Sequence, residues 1–131
     1  MNDAVYPIMR TAFGDLIIDY HFKKNDNQYE DVAIEVIDTK HHDVNNITVG
    51  LEDFFDHYLL RPGGFFAATN INFDLFYQAY DNLGALKYEQ CYGYEPILPL
   101  GGKADIKNIK IVNFDVHLDI LTQTLKEPLE L

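Results

Sequence analysis

The sequence predicts an α+β fold in which an antiparallel β-meander is followed by about three helices that pack on the sheet. Within residues 15–40, apolar and polar side chains alternate with the period of β-strands. From Leu51 onward, apolar residues recur every three or four positions, as on one face of a helix. Strand patterns that precede helical patterns are typical of the α+β class, and 131 residues suffice for one domain with one core.

Two long strands and a short one are predicted in the meander. Residues 15–22 (DLIIDYHF) and 29–40 (YEDVAIEVIDTK) alternate in hydropathy, and the turn-forming segment 23–28 connects them. After a polar loop at 41–46, residues 47–50 (ITVG) are predicted to form the short strand. Because polar side chains alternate with apolar ones, one face of this sheet is expected to contact solvent.

Three helices are predicted after the meander, over residues 51–60, 72–83 and 114–125. Their apolar stripes are Leu51, Phe54, Phe55, Tyr58 and Leu59 in the first, Phe73, Phe76, Tyr77 and Tyr80 in the second, and Phe114, Leu118, Leu121 and Leu125 in the third. Between the last two helices, two segments are extended in character. Pro96 and Pro99 keep the first of these segments at a sheet edge or out of the strand ladder.

The charge of the chain limits its partners. Ten Lys and Arg residues against 21 Asp and Glu residues give a formal net charge of −11. A negative field of this size repels nucleic acid and anionic lipid, and it accelerates encounter with a basic partner. No apolar run approaches the ~20 residues of a membrane-spanning helix. The sequence therefore predicts no direct nucleic-acid partner and no membrane partner.

Cysteine usage and the N-terminal residues indicate the compartment. The single cysteine, Cys91, excludes an internal disulfide and suits a reducing environment. The N-terminal residues MNDAVYPIMRTAF lack the basic region and continuous apolar run of a signal peptide. We therefore expect a cytoplasmic protein.

A small metal-dependent hydrolase is the enzyme alternative. Its metal would be held by His41, His42 and Asp43, with His57 as a further ligand. Adjacent side chains of an extended segment point apart, so His41 and His42 do not easily share one ion. A solvated polar loop is favoured at these positions, and no metal or other cofactor is predicted.

Other catalytic patterns are weaker still. The chain has no serine, which excludes a serine nucleophile. No histidine or basic pair next to Cys91 indicates a lowered pKa of its thiol. Gly101-Gly102-Lys103 lacks the Ser or Thr of a phosphate-binding loop. Most carboxylates fall on faces predicted to be exposed, where nothing raises a pKa. We therefore do not expect an enzyme.

Three stretches resemble one protein family. TAFGDL (11–16), LEDFF (51–55) and CYGYEP…LPLGG (91–102) with a later His-Leu are similar to motifs of the C-terminal domain family of type VI secretion DNase-immunity proteins. The resemblance extends over roughly residues 5–125, and its last motif is the most specific. The signature positions, which we expect to be structural, are Phe13, Gly14, Asp15, Leu16, Tyr92, Gly93, Pro96, Gly101, Gly102, His117 and Leu118.

The resemblance implies a bacterial immunity protein that binds and neutralises a cognate toxin, a nuclease with a basic surface. It also implies a fold similar to the yeast cell-wall regulator-type (SMI/KNR-like) immunity domains. Family members often carry a further N-terminal domain, and we expect residues 1–131 to be a single domain of the C-terminal type without it. A regulatory or scaffold domain without a toxin is the remaining alternative.

Acidic side chains are the candidates for toxin binding. The active site and DNA groove of a nuclease attract phosphate, so a carboxylate-rich surface can compete for them. The candidates are Glu30, Asp31 and Glu35 on the exposed face of the sheet, and Glu52, Asp53 and Asp56 on the first helix.

Overall fold

The computed structural model describes residues 4–25, 28–47, 50–61 and 73–125, and the side chains of these residues other than 4, 22–25 and 28–33. They confirm the α+β class, with a four-stranded sheet, a two-stranded sheet and three helices. The strands are β1 (Ala4–Arg10), β2 (Leu16–Asn25), β3 (Gln28–Asp38), β4 (Asp43–Asn46), β5 (Gln90–Tyr94) and β6 (Ile109–Asn113). The helices are α1 (Leu51–Asp53), which continues as a π-helical turn (Phe54–Tyr58), α2 (Phe73–Leu83) and α3 (Phe114–Gln123). Within the described ranges, none of these helices has the length and hydropathy to cross a membrane.

The larger sheet is the predicted antiparallel meander, with its strands in the order β1–β2–β3–β4. β1 is a strand that the alternation did not predict. The short strand predicted at 47–50 is wrong in position, because β4 ends at Asn46, and Thr48 and Val49 lie outside the described residues. Asp38 pairs with Asp43 across a turn in which His42 has a φ of +54°, so the chain returns along β3 at once.

The first core lies between this sheet and the segment that follows β4. β2 and β3 contribute Ile17, Ile34 and Val36, all almost fully buried. Ile47 and Phe54 close the core from the other side. Burying aliphatic side chains of this size stabilises the fold by about 1.5–3 kcal/mol each.

The first predicted helix is confirmed, but part of its apolar stripe faces solvent. Phe54 is fully buried, and Tyr58 and Leu59 pack at the core edge, whereas Leu51 and Phe55 are exposed. The N–H of Leu59 donates to the carbonyl oxygen of Phe54 at 2.8 Å, which is an i→i+5 bond. This π-helical turn is wider than an α-helical one, so residues spaced for an α-helix do not all reach the core.

The second core packs α2 on the sheet of β5 and β6, which are antiparallel. Ala79 is fully buried, and its small side chain lets α2 approach closely enough for Phe76 to contact Tyr92, with ring centroids 6.2 Å apart. The stripe predicted for this helix is therefore largely wrong. Leu75, Phe76 and Leu83 pack on the core, whereas Phe73, Tyr77 and Tyr80 are exposed.

The last helix, α3, ends at Gln123, two residues earlier than predicted. Asn113 caps its N-terminus, because the Asn113 side chain accepts a hydrogen bond from the N–H of Val116 at 3.0 Å. The prediction that Leu121 faces the core is confirmed, and Leu118 is half-buried. His117 is also buried, and burial lowers the pKa of its imidazole.

Candidate functional site

An open acidic pocket of about 540 Å³ lies between β2 and the segment that contains α1. Carboxylates provide four of its lining side chains, and Lys and Arg are not among the lining residues that the structure describes. We call this site the acidic pocket; it is lined by Asp19, His21, Gly50, Leu51, Glu52, Asp53, Phe55 and Asp56.

Local structure explains how the chain assembles the acidic pocket. Asp19 and His21 continue the face of β2 that carries Ile17, because side chains two residues apart share one face of a strand. The pairing of β2 with β3 shifts register between Tyr20 and His21, an irregularity of the kind that re-aims side chains near functional sites. Gly50 is the N-cap of α1, which carries the other carboxylates over the end of this face.

Asp19 is the buried group of the pocket, with 6% of its surface exposed. Its Oδ2 lies 2.8 Å from Nε2 of His21. Its Oδ1 is buried and has no hydrogen-bond partner among the described residues. A buried acceptor without a donor costs about 1–3 kcal/mol, and more when it belongs to a charged group.

Three of the predicted toxin-binding candidates lie together at this pocket. Glu52, Asp53 and Asp56 are exposed and line it. Asp53 also lies 3.9 Å from Nδ1 of His57, in a pair open to solvent. Asp19 and His21 were not among the predicted site residues. Their position on the same face of β2 as the core residue Ile17 could have indicated that they lie close to the first helix.

The other three candidates lie on β3, and one of them is not exposed as predicted. Glu35 is only 5% exposed, and its carboxylate accepts a hydrogen bond from the side chain of Asn46 at 2.8 Å. Burial raises the pKa of Glu35, and the bond from Asn46 opposes this shift. The backbones of Glu30 and Asp31 are in β3, but their side chains lie outside the described residues.

Asp15, in the first signature motif, is held in a buried ion cluster. Nζ of Lys40 lies 2.6 Å from Oδ1 of Asp15 and 3.2 Å from Oδ1 of Asp38. The hydroxyl of Thr39 donates to the carbonyl oxygen of Gly14 at 3.0 Å. Burial raises the pKa of Asp15, and Lys40 opposes the shift. The expectation that nothing raises the pKa of these carboxylates is therefore wrong for Asp15 and Glu35.

The remaining residues of the first motif lie at the second core and at the start of β2. Phe13 belongs to the second core, and Leu16, which begins β2, is half-buried. Gly14 has a φ of +84°, which side chains other than glycine rarely adopt. The N–H of Tyr92 donates to the carbonyl oxygen of Ala12 at 2.8 Å, which ties the small sheet to this turn.

Part of the last motif also occupies packed positions, whereas Pro96 and Gly101 are exposed. A Cβ atom added at Gly93 would lie 2.7 Å from Nε2 of His117, so the glycine makes room for the buried imidazole. The hydroxyl of Tyr92 donates to the carbonyl oxygen of Gly84 at 2.5 Å. The Glu95–Pro96 peptide bond is cis, and Gly102 packs against the backbone of Pro96.

The proposed metal ligands face different partners. Nδ1 of His41 lies 2.8 Å from Oδ2 of Asp38, while Nε2 of His42 lies 3.1 Å from the carbonyl oxygen of Leu121. Asp43 accepts a hydrogen bond from the N–H of Val44, and His57 lies on the π-helical turn. Across residues 4–25, 28–47, 50–61 and 73–125, no group of three His, Cys, Asp or Glu side chains is arranged to hold a metal ion.

Cys91 is expected to resist alkylation in the folded protein. Its side chain is buried, so reagents do not reach the sulfur, and burial raises the pKa of its thiol to about 11. Very little reactive thiolate is therefore present near neutral pH. Iodoacetamide followed by mass spectrometry should leave the native protein unmodified and should add one group after denaturation in urea. Rapid addition to the native protein would contradict the buried position of Cys91.

The fold and the acidic pocket define a small, strongly acidic α+β protein in which three exposed carboxylates and the buried Asp19 line one pocket beside α1. The chain belongs to a family of type VI secretion immunity proteins, because the family model described as "T6SS immunity protein Tdi1, C-terminal" matches residues 50–124. The matched region runs from the cap of α1 past the end of α3 and includes Glu52, Asp53 and Asp56. A search of curated proteins gave no match.

Proposed function

We propose that this protein binds and neutralises a cognate type VI secreted toxin, a DNase with a basic surface, through the acidic pocket and its surroundings. Membership of the immunity family supports the role. The observation that carries the location is the set of four carboxylates around one pocket, with Lys and Arg missing from its described lining. A site of this kind attracts a cationic surface and rejects anions.

Competition with DNA provides the mechanism of neutralisation. A nuclease concentrates positive charge where it holds the phosphate backbone, and a carboxylate surface complements the same charge. The net charge of −11 accelerates the encounter, because the whole field steers a basic partner towards the protein. In this account the protein works in the cytoplasm, where the DNA is, and needs no cofactor or catalytic step.

The acidic surface extends along β3 in this proposal. Asp31 pairs with His21, which lines the pocket, and Glu30 pairs with the neighbouring Phe22. Both acids enter the proposal through these backbone positions beside β2, and a charge at the rim of an interface mainly affects association rate and salt dependence. Glu35 is left out of the contact, because its buried carboxylate is already hydrogen-bonded to Asn46.

Co-expression in bacteria tests this function. A nuclease toxin encoded in the neighbouring reading frame should stop growth, and the wild-type protein should restore it. Replacing Glu52, Asp53 and Asp56 with lysine should abolish the rescue. The matched control replaces Asp74, Asp81 and Glu89 with lysine. These residues are exposed and distant in sequence from the pocket residues, so this variant should still rescue growth. Failure of the wild-type protein to rescue, or equal rescue by both triple variants, would contradict the proposal.

A further inference from the structure

We propose that the acidic pocket takes one arginine side chain of the toxin, with its guanidinium paired to Asp19 and its stem packed on Phe55 and Leu51. This inference rests on the proposed function for the identity of the partner, and it names the chemical group that the pocket recognises. Three independent features of the pocket carry it: an unsatisfied buried carboxylate oxygen, an exposed aromatic ring, and uncompensated negative charge.

Asp19 provides the first feature. It is more than nine-tenths buried and lines the pocket, yet its Oδ1 has no donor in the described part of the chain. Buried polar atoms are nearly always paired, so an orphaned carboxylate oxygen at a pocket is the mark of an absent donor. His21 already engages Oδ2 at 2.8 Å, which leaves Oδ1 as the acceptor for an incoming N–H group.

Phe55 and Leu51 provide the second feature. Both are apolar side chains that line the pocket with substantial exposure, and Phe55 is 50% exposed. A guanidinium is attracted to the face of an aromatic ring, and the methylene stem of arginine covers apolar surface. Phe55 belongs to the π-helical turn and lines the pocket, whereas the preceding Phe54 is fully buried in the first core.

The surrounding carboxylates provide the third feature and favour arginine over other cations. Glu52, Asp53 and Asp56 line the pocket and offer carboxylate oxygens as acceptors, and a guanidinium presents five N–H donors in a planar fork. Lysine is more strongly hydrated and has fewer donors. A divalent metal is disfavoured, because the described side chains form no set of three ligands. The volume of about 540 Å³ falls within the ~300–1,000 Å³ of small-molecule sites, so it accommodates one side chain.

A small probe tests the pocket without the toxin. N-acetyl-arginine amide, titrated into ¹⁵N-labelled protein, should shift the amide resonances of residues 19–21 and 50–56 with millimolar affinity. The lysine analogue should bind more weakly, and the neutral citrulline analogue should not bind. Asp19→Asn should weaken the probe about tenfold or more, while Asp81→Asn, an equal change of charge on α2, should leave it unchanged. The inference would be overturned if the citrulline analogue caused equal resonance shifts, or if the arginine probe caused saturable shifts only outside the pocket. Tighter binding of Ca²⁺ or Mg²⁺ than of the probe at the pocket would also overturn it.

The toxin then separates this inference from the proposed function. Asp19→Asn should weaken toxin binding by about 30-fold or more, with Asp81→Asn changing it less than about threefold. Because Asp19 is buried, its variant is first checked for an unchanged melting temperature. The exposed pair Glu52→Gln and Asp56→Asn, which leaves the core intact, should reproduce the loss. Toxin binding that all variants retain would overturn the arginine pocket alone, whereas a wild-type protein that binds the arginine amide but not the toxin would overturn the proposed function.

Discussion

Replacing Lys40 with methionine is expected to lower the free energy of unfolding by about 3–5 kcal/mol. Lys40 is only 7% exposed, and its Nζ is the shared partner of the buried carboxylates of Asp15 and Asp38. Methionine preserves much of the side-chain volume but removes the cation that the Asp15 and Asp38 carboxylates share. Urea denaturation followed by circular dichroism measures the loss.

Two further variants isolate the ion cluster as the cause. Lys107→Met removes a lysine from an exposed pair with Asp105 at 3.9 Å and should cost less than about 1 kcal/mol. Adding Asp15→Asn to Lys40→Met should recover part of the lost stability, because it removes the negative charge of Asp15, which has lost its lysine partner. Equal losses from the two lysine variants, or no recovery in the double variant, would contradict the ion cluster as the source of the lost stability.

The pH dependence of the Lys40 variant follows from the pKa of Asp15. Burial holds this pKa above its ordinary 3.8, so the folded state binds the proton more tightly than the unfolded state. The corresponding stabilisation is therefore complete below about pH 3.8 and is lost as the pH rises through the folded-state value. Without Lys40, Asp15 would be protonated more readily, and the cost of Lys40→Met should shrink as the pH falls.

Gly102→Ala is expected to destabilise the protein by about 3 kcal/mol. A Cβ atom at this position would overlap the carbonyl oxygen of Pro96 and would lie 2.7 Å from its carbonyl carbon and 2.9 Å from the carbonyl oxygen of Ile97. These neighbours are backbone atoms, which cannot rotate away as a side chain would. The N–H of Gly102 also donates to the carbonyl oxygen of Ile97 at 3.1 Å, so the two segments are held together. Thermal and urea unfolding measure the change.

The adjacent glycine is the matched control for this variant. Gly101 has a φ of +94°, but nothing lies within 4 Å of a Cβ atom added there. Gly101→Ala should therefore carry only the backbone cost of a left-handed residue, about 1–2 kcal/mol. A loss from Gly102→Ala no greater than that from Gly101→Ala would contradict the close packing of Gly102 against Pro96.

The sequence predicted the class of the fold and the helix positions because these depend on local periodicity. The 3.6-residue pattern places all three helices correctly, and the alternation places β2 and β3. The periodicity does not determine which face of a helix packs against a core. In α2 the buried residue is Ala79, chosen by close approach to the small sheet, rather than the larger Tyr77 or Tyr80. Hydrophobicity alone favours the larger rings.

The candidate site was predictable only on its helical side. Glu52, Asp53 and Asp56 follow from acids on the polar side of a helix, which the sequence displays directly. Predicting Asp19 would require knowing that α1 lies over one face of β2, and this is a tertiary contact that local periodicity does not contain. Glu35 was predicted to be exposed but is buried. Alternation shows which face of a strand a side chain is on, but not whether that face is covered.

The most direct test of the acidic-surface account is the association rate of the purified protein with its toxin as a function of salt concentration. Association at low salt should be fast, above about 10⁷ M⁻¹s⁻¹, and should slow at least tenfold as salt rises to about 0.5 M, where the screening length falls to a few ångströms. Replacing Glu52, Asp53 and Asp56 with their amides should flatten this dependence. Tight binding whose rate is the same at low and high salt, or no binding at low salt, would contradict the account.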